Sequence, residues 1–286
     1  VSEQTRAHSS HRVALVVHPS RQEAKDLAVQ ARQWWEARSY EVVETDAYAD
    51  HPEPEVSAGE LDFAVSLGGD GTMLRTVQLV VSRGVPVLGV NLGSLGYLTQ
   101  IEPRGIEQAF SRLVAGDFAI EERMTLDVTV DAPGKTTTPY VVLNEVSVEK
   151  TGPGHTIRLG VSIDEHPFLV FVADGIVLST PTGSTAYNLS LRGPIVSPQL
   201  RAIVVTPVSP HMLFDRSLVL SPEEIVRLEV LNERPAVLVV DGATVDNIEV
   251  DTAVIVKAGA HAARIVHLAA LDFHSILRQK FGLTGR

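Results

Sequence analysis

Leu67-Gly68-Gly69-Asp70-Gly71-Thr72 is the stretch that decides how this chain is read. The apolar run over residues 61–67 predicts a strand ending here, and the spacing over 72–82 predicts a helix beginning at once. Three glycines let the backbone turn sharply and come close to a ligand. Amides at a helix start then face outward, a natural seat for phosphate. Asp70 conflicts with that anion, because a carboxylate repels it. The conflict resolves if Asp70 takes a proton from an attacking hydroxyl, or stands beside a metal among the phosphates. The stretch therefore points to phosphoryl transfer onto an alcohol. The structural alternative is a glycine-rich turn with Thr72 as helix N-cap.

Working outward, the pattern is β-α repeated. Residues 12–17 read as a buried strand, 22–38 as an amphipathic helix with Trp34 and Trp35 in it, and 41–44 as a short strand. Residues 46–60 are acidic and carry prolines, which predicts a solvated loop. Another apolar strand follows at 85–90 and a helix near 105–115. Strands alternating with helices predict a parallel sheet, with ligands at the carboxyl ends of its strands, where 68–71 and 91–96 fall. Beyond that helix the chain reads as short strands at 125–130, 140–149, 157–163, 167–172, 203–205, 225–231, 236–240, 248–256 and 263–268. Turn residues such as Asp131-Ala132-Pro133-Gly134 separate some of them. Residues 272–281 return to helical spacing. The expected fold class is α/β plus mainly β: a parallel-sheet α/β domain over 12–100, a β-rich domain over 101–269, and a C-terminal helix in 270–286 packing back on the first domain.

Composition agrees and excludes several functions. At 286 residues the chain can form two domains with separate cores. Its formal charge of −11 opposes nonspecific binding to nucleic acid or to an anionic membrane, but not local binding of small anions. Cysteine is absent, which removes disulfides and thiolate metal sites. The first eleven residues are polar without a signal-peptide core, and no run reaches membrane-spanning length, so a cytoplasmic location is expected. The histidines are scattered: His51, His261 and His267 lack a ligand-spaced partner, and His211 reads as a structural turn residue.

Two further segments carry chemistry. After Asp174-Gly175 comes a run from Ser179 to Tyr187, whose first seven positions carry five hydroxyls. A core strand gains nothing from them, whereas a helix start can use them to cap amides or bind ligand oxygens. Asn144-Glu145, at the end of an apolar run, can donate to and accept from vicinal hydroxyls or an adenine edge; a capped turn is the alternative. No G-x-x-x-x-G-K-[ST] is present, and no G-x-G-x-x-G follows the first strand, which removes P-loop kinases and dinucleotide-binding dehydrogenases.

Together these residues resemble one family closely, the NAD kinases. Gly68-Gly69-Asp70-Gly71-Thr72 is similar to its diagnostic loop, Asn91-Leu92-Gly93-Ser94-Leu95-Gly96-Tyr97-Leu98 to its next motif, and Asn144-Glu145 to its asparagine-glutamate pair. Asp174-Gly175 running into Tyr187 resembles its longest signature. Pro210-His211-Met212-Leu213 with Arg216, then Asp241-Gly242, follow in the expected order. The resemblance implies a magnesium-dependent transfer of the terminal phosphate of ATP to the adenosine 2′-hydroxyl of NAD. Asp70 would be the general base, with Gly71 against the dinucleotide. Gly68, Gly69, Gly71 and Thr72 would receive the donor phosphates, and magnesium would bridge their oxygens. Arg75 would reach phosphate. Asn144 and Glu145 would hold the NAD ribose or adenine, and His155 would contact substrate. Asp174 would lie on the nicotinamide side, with Thr185, Ala186, Tyr187 and Ser190 along the acceptor adenosine. Metal ligands are not assigned. A homodimer or homotetramer is implied, with no nucleic-acid or membrane partner.

Three positions depart from the family pattern: Arg192 replaces a small residue, Ser217 a proline, and Ala243 a glutamine. An aspartate is a weak base at neutral pH, so positioning and magnesium are expected to carry most of the catalysis. Two rival readings stand beside this one. A GGDG-type lipid or sugar kinase would share the donor loop, and a non-catalytic dinucleotide-binding paralogue would share the acceptor residues.

Overall fold

The computed structural model describes residues 11–48, 59–93, 96–99, 101–132, 139–231, 234–250, 252–269 and 273–283. Most of the predicted acidic loop, His51, Ser94, Leu95 and the Pro133-Gly134 turn lie outside the described residues. The chain divides into two compact units, residues 1–121 with 264–286, and residues 122–263.

The first unit begins with β1 (Arg12–Val17), α1 (Gln22–Glu36), β2 (Glu41–Asp46), β3 (Phe63–Gly68) and α2 (Asp70–Val80). It continues through β4 (Val87–Asn91), α3 (Ile106–Val114) and β5 (Ala119–Arg123), the last running across the boundary. The second unit carries β6 (Leu126–Asp131), β7 (Tyr140–Val142), β8 (Glu145–Lys150), β9 (Ile157–Ile163), β10 (His166–Ala173) and β11 (Gly175–Ser179). After the short helix α4 (Tyr187–Ser190) come β12 (Ile203–Val208), β13 (Leu218–Leu220), β14 (Val226–Val230), β15 (Ala236–Val240), β16 (Ala243–Ile248) and β17 (Ala253–Ala258). The chain then makes β18 (Ala263–His267) and α5 (Phe273–Lys280).

The first sheet runs β2-β1-β3-β4-β18-β5 and is parallel from β2 to β18, with Leu15 opposite both Glu44 and Val65. Its inner strands are covered on both faces, which is why β1 and β3 are almost continuously apolar. Trp35 is fully buried and Trp34 nearly so; their rings meet Phe110 of α3 at 4.8 and 5.3 Å. This aromatic contact pins α3 to α1, so the first unit extends to Glu121 rather than stopping near residue 100 as the sequence reading had it.

The second unit is antiparallel, in sheets β10-β9-β14-β17-β6-β7 and β13-β12-β11-β8-β15-β16. One buried cluster draws Leu159, Phe171, Leu228 and Val254 from the former and Val148, Ile176 and Leu238 from the latter, as in a sandwich. β14 and β15 alternate buried and half-buried residues, as strands with one wet face do.

Two predicted strands are corrected. Residues 140–149 are not one strand: the Asp241 carboxylate takes the N–H groups of Leu143, Asn144 and Glu145, and the ladder breaks between β7 and β8. Residues 248–256 divide at a turn, where the Thr252 N–H donates to the Glu249 carbonyl at 3.3 Å, and β17 starts only at Ala253. The sequence reading offers no strand at β5, β11 or β13, and meets β16 only at Ile248.

Candidate active site

In the first unit β3 delivers the chain to Gly69, the extended N-cap of α2 (φ −118°), with no side chain capping it. Thr72 is therefore inside the helix and not its cap. A Cβ on Gly68 would fall 2.1 Å from Thr72 Oγ1. Gly68 and Thr72 thus pack against each other. Gly69 is different: nothing lies within 4 Å of its Cβ position. A cavity of about 270 Å³ opens over Gly69, Asp70 and Gly71. Thr72 borders it beside Asp70 with its buried hydroxyl unpartnered among the described residues, whereas Gly68 does not border it.

Asp70 is held from the second glycine motif. Its Oδ2 accepts the Tyr97 N–H at 2.8 Å, and its Oδ1 accepts the Leu98 N–H and the Thr99 hydroxyl, each at 3.2 Å. A Cβ on Gly96 would sit 2.2 Å from Asp70 Oδ1, so this residue must be glycine for the carboxylate to occupy its place. Two cations that the sequence reading passed over border the same cavity. Arg21, at the start of α1, donates to the Leu92 carbonyl, and Lys280 of α5 stands 4.9 Å from the Tyr97 ring centre. They are 259 positions apart (280 − 21), so no local motif could have linked them. Arg75 does not border the cavity; it donates to Gln78 at 2.8 Å and lies 6.0 Å from the Tyr48 ring. Among the described residues no three histidine or carboxylate side chains converge as a metal cage.

In the second unit the Asp241 carboxylate fixes the Asn144-Glu145 turn through N–H donors at 3.0, 2.8 and 3.2 Å, from Leu143, Asn144 and Glu145 in order. Asp241 adopts φ +45° and Gly242 +80°, the tight turn that aims the carboxylate back at the chain. Burial raises the Glu145 carboxyl to about 7; the charges of Asp241 and Glu149 add to this, and the Tyr187 N–H opposes it. Burial also raises the Tyr187 phenol, helped by Glu149, whose Oε2 lies 3.4 Å from its hydroxyl. Asp174 receives Lys150 Nζ at 2.7 Å. Asn144, Glu145, Asp174 and Tyr187 thus belong to one electrostatic neighbourhood. His155 lies in the turn between β8 and β9, with its ring bordering Gly152.

The hydroxyl run is mostly structural. Ser179 ends β11, Thr180 donates to the Leu143 carbonyl at 2.6 Å, and Ser184 donates to that of Pro181 at 2.7 Å. A Cβ on Gly183 would fall 2.0 Å from the Asn144 carbonyl oxygen, so this turn lies directly on the Asn144 backbone. Thr185, Ala186 and Tyr187 are half-buried and Ser190 is exposed, leaving these four accessible.

Residues 53–118 match the family model for the ATP-NAD kinase N-terminal domain, and residues 143–268 that for the ATP-NAD kinase C-terminal domain. An NAD kinase of Heliobacterium modesticaldum is 38% identical over 94% of this chain and 97% of its own length. This chain belongs to the NAD kinase family. It is a phosphotransferase, and the lipid-kinase, sugar-kinase and non-catalytic readings give way to that assignment. Another NAD kinase, from Porphyromonas gingivalis, is 39% identical over 77% of this chain and 75% of its own. Among solved structures, yeast NADH kinase complexed with NADH superposes with a TM-score of 0.84 at 23% identity, covering 97% of this chain and 89% of that one. An Archaeoglobus fulgidus NAD kinase in complex with ATP gives 0.74 at 25% identity, over 96% and 100%. The fold is thus that of NAD kinases, and the GGDG loop and Asn144-Glu145 fall inside the matched segments.

Proposed function

We propose that the first unit's cavity receives the ATP triphosphate and that Asp70 is the general base for the adenosine 2′-hydroxyl of NAD. The observation that carries this is the Asp70 carboxylate, fixed by three donors beside the open face of Gly69 and bordered by Arg21 and Lys280. The 2′-oxygen bonds to the γ-phosphorus as its proton passes to Asp70. The bond from the γ-phosphorus to the β–γ bridging oxygen breaks, and ADP leaves. The free N–H groups of Gly71 and Thr72, in the first turn of α2, suit the donor oxygens, with Arg21 and Lys280 balancing their charge. Asp70 Oδ2 accepts only the Tyr97 N–H and keeps a lone pair for the hydroxyl proton, and magnesium carried in by the triphosphate fits a site where, among the described residues, no protein cage is present; it would neutralise charge on the phosphates.

Asn144, Glu145, Asp174, Thr185, Ala186, Tyr187 and Ser190 make up the acceptor side in this reading. With its carboxyl near neutrality, Glu145 can donate as well as accept a hydrogen bond. A cytoplasmic homodimer or homotetramer completes the proposal. The location is supported by the absence of cysteine, which suits a reducing compartment, and the oligomer by the family resemblance alone; among the described residues no helix is long and apolar enough to cross a membrane. A coupled NADP-formation assay on wild type and Asp70→Asn tests the base. We expect kcat to fall about a hundredfold; near-normal turnover overturns the role.

A further inference from the structure

Arg192 is the departure from the family pattern that the catalytic reading leaves unused. It follows α4 at φ +63°, a left-handed backbone that disfavours any residue with a Cβ. The turn cannot relax through its neighbour. A Cβ on Gly193 would fall 1.9 Å from Asn188 Oδ1, and Asn188 is fully buried. The same Oδ1 accepts the Thr206 hydroxyl at 2.7 Å, and Thr206 in turn lies 2.8 Å from the Ser217 hydroxyl. A buried chain of hydrogen bonds therefore fixes the floor under an exposed arginine. Beside it opens a cavity of about 450 Å³, bordered by Arg192, Arg216, the serines 190, 209 and 217 and one carboxylate, Asp215. Ser209, which borders the same cavity, is also held at positive φ, at +45°. Asp215 pairs with Arg216 at 3.5 Å, but among the described residues no carboxylate pairs with Arg192.

We propose that this cavity is an anion subsite for a phosphate or diphosphate group. Two guanidinium forks match phosphate oxygens in pairs, and the serine hydroxyls supply further donors. Arg192 takes the left-handed position that ends α4, with its own N–H on the Leu189 carbonyl and the Gly193 N–H on the Asn188 carbonyl, so the turn fixes where its side chain leaves the backbone at the cavity's border. The subsite does not depend on the assignment of Asp70. Its ligand is either the diphosphate of the acceptor dinucleotide or a separate phosphate compound.

Equilibrium dialysis of labelled pyrophosphate against the full chain decides it. Wild type is expected to bind one more pyrophosphate per chain than Arg192→Gly or Arg216→Ala, with Arg192→Lys in between in affinity. Glycine suits the backbone at 192 and Arg216 is 83% exposed, so both variants keep their fold, which thermal melting checks. Equal stoichiometry and affinity in all four proteins overturns the proposal. Added NAD that displaces the extra pyrophosphate identifies the dinucleotide as the source, and NAD that leaves it bound identifies a separate phosphate compound.

Discussion

Asp70 and Glu145 are both acids next to glycine-rich or hydroxyl-rich turns, and their surroundings differ. Three donors meet the Asp70 carboxylate and fix its direction. Glu145 has one buried oxygen with no partner among the described residues and lies within the field of two other carboxylates. Its pKa, raised from 4.5 to about 7, makes stability depend on pH with a definite sign. The stability contributed by the protonated form is complete below pH 4.5 and is lost as pH rises through 7, because the unfolded chain ionises first. Glu145→Gln lacks this loss. Its unfolding free energy relative to wild type should therefore rise by about 3 kcal/mol between pH 4.5 and pH 8, measured by urea unfolding. A difference independent of pH would show that Glu145 ionises as an ordinary carboxylate.

At the scale of elements, the two glycine motifs act as one device. β3 and α2 present Asp70, and the segment after β4 grips it. Gly96→Ala places a methyl where Asp70 Oδ1 now lies, so the carboxylate must move. Displacement by about 1 Å can cost on the order of a hundredfold, so we expect kcat to fall by that factor while the KM for NAD changes little. Steady-state kinetics check this, and a variant with normal kcat would show that the grip is dispensable. The parallel sheet and the sandwich were legible because apolar runs of six residues with turn signals between them leave few other folds. β11 was not, because its Gly175–Ser179 sequence leads into hydroxyls that resemble a loop, yet Ser179 is buried at the strand's end. The break after β7 was also hidden. It depends on Asp241, nearly a hundred positions away, spending its carboxylate on three backbone amides. Asp70 and Asn144-Glu145 could be read from short motifs, whereas Arg21, Lys280 and Gly96's contact with Asp70 depend on tertiary approach.

At the scale of the whole molecule, the two units have separate buried cores, and both tryptophans of the chain, Trp34 and Trp35, lie in the first. Tryptophan fluorescence therefore reports unfolding of the first unit alone, while far-ultraviolet dichroism reports both. ATP with magnesium, bound beside Asp70, should raise the fluorescence transition by about 2.7 kcal/mol at a hundred times its Kd, and the dichroism transition of the second unit less. Equal shifts by both probes would show that the units unfold as one or that the donor binds elsewhere.

The first sheet is also discontinuous in the chain. β18, which pairs in parallel with β4 through Ile265 and Val87, is made only after the whole second unit. A ribosome must therefore translate some 140 intervening residues before the sheet can close; until then Ile101 covers the β4 edge at Val90, and the edge at Val87 lacks its partner. Fragments ending at residue 121 should accumulate as aggregates on expression, and supplying 264–286 in trans should restore solubility only if that missing strand is the cause.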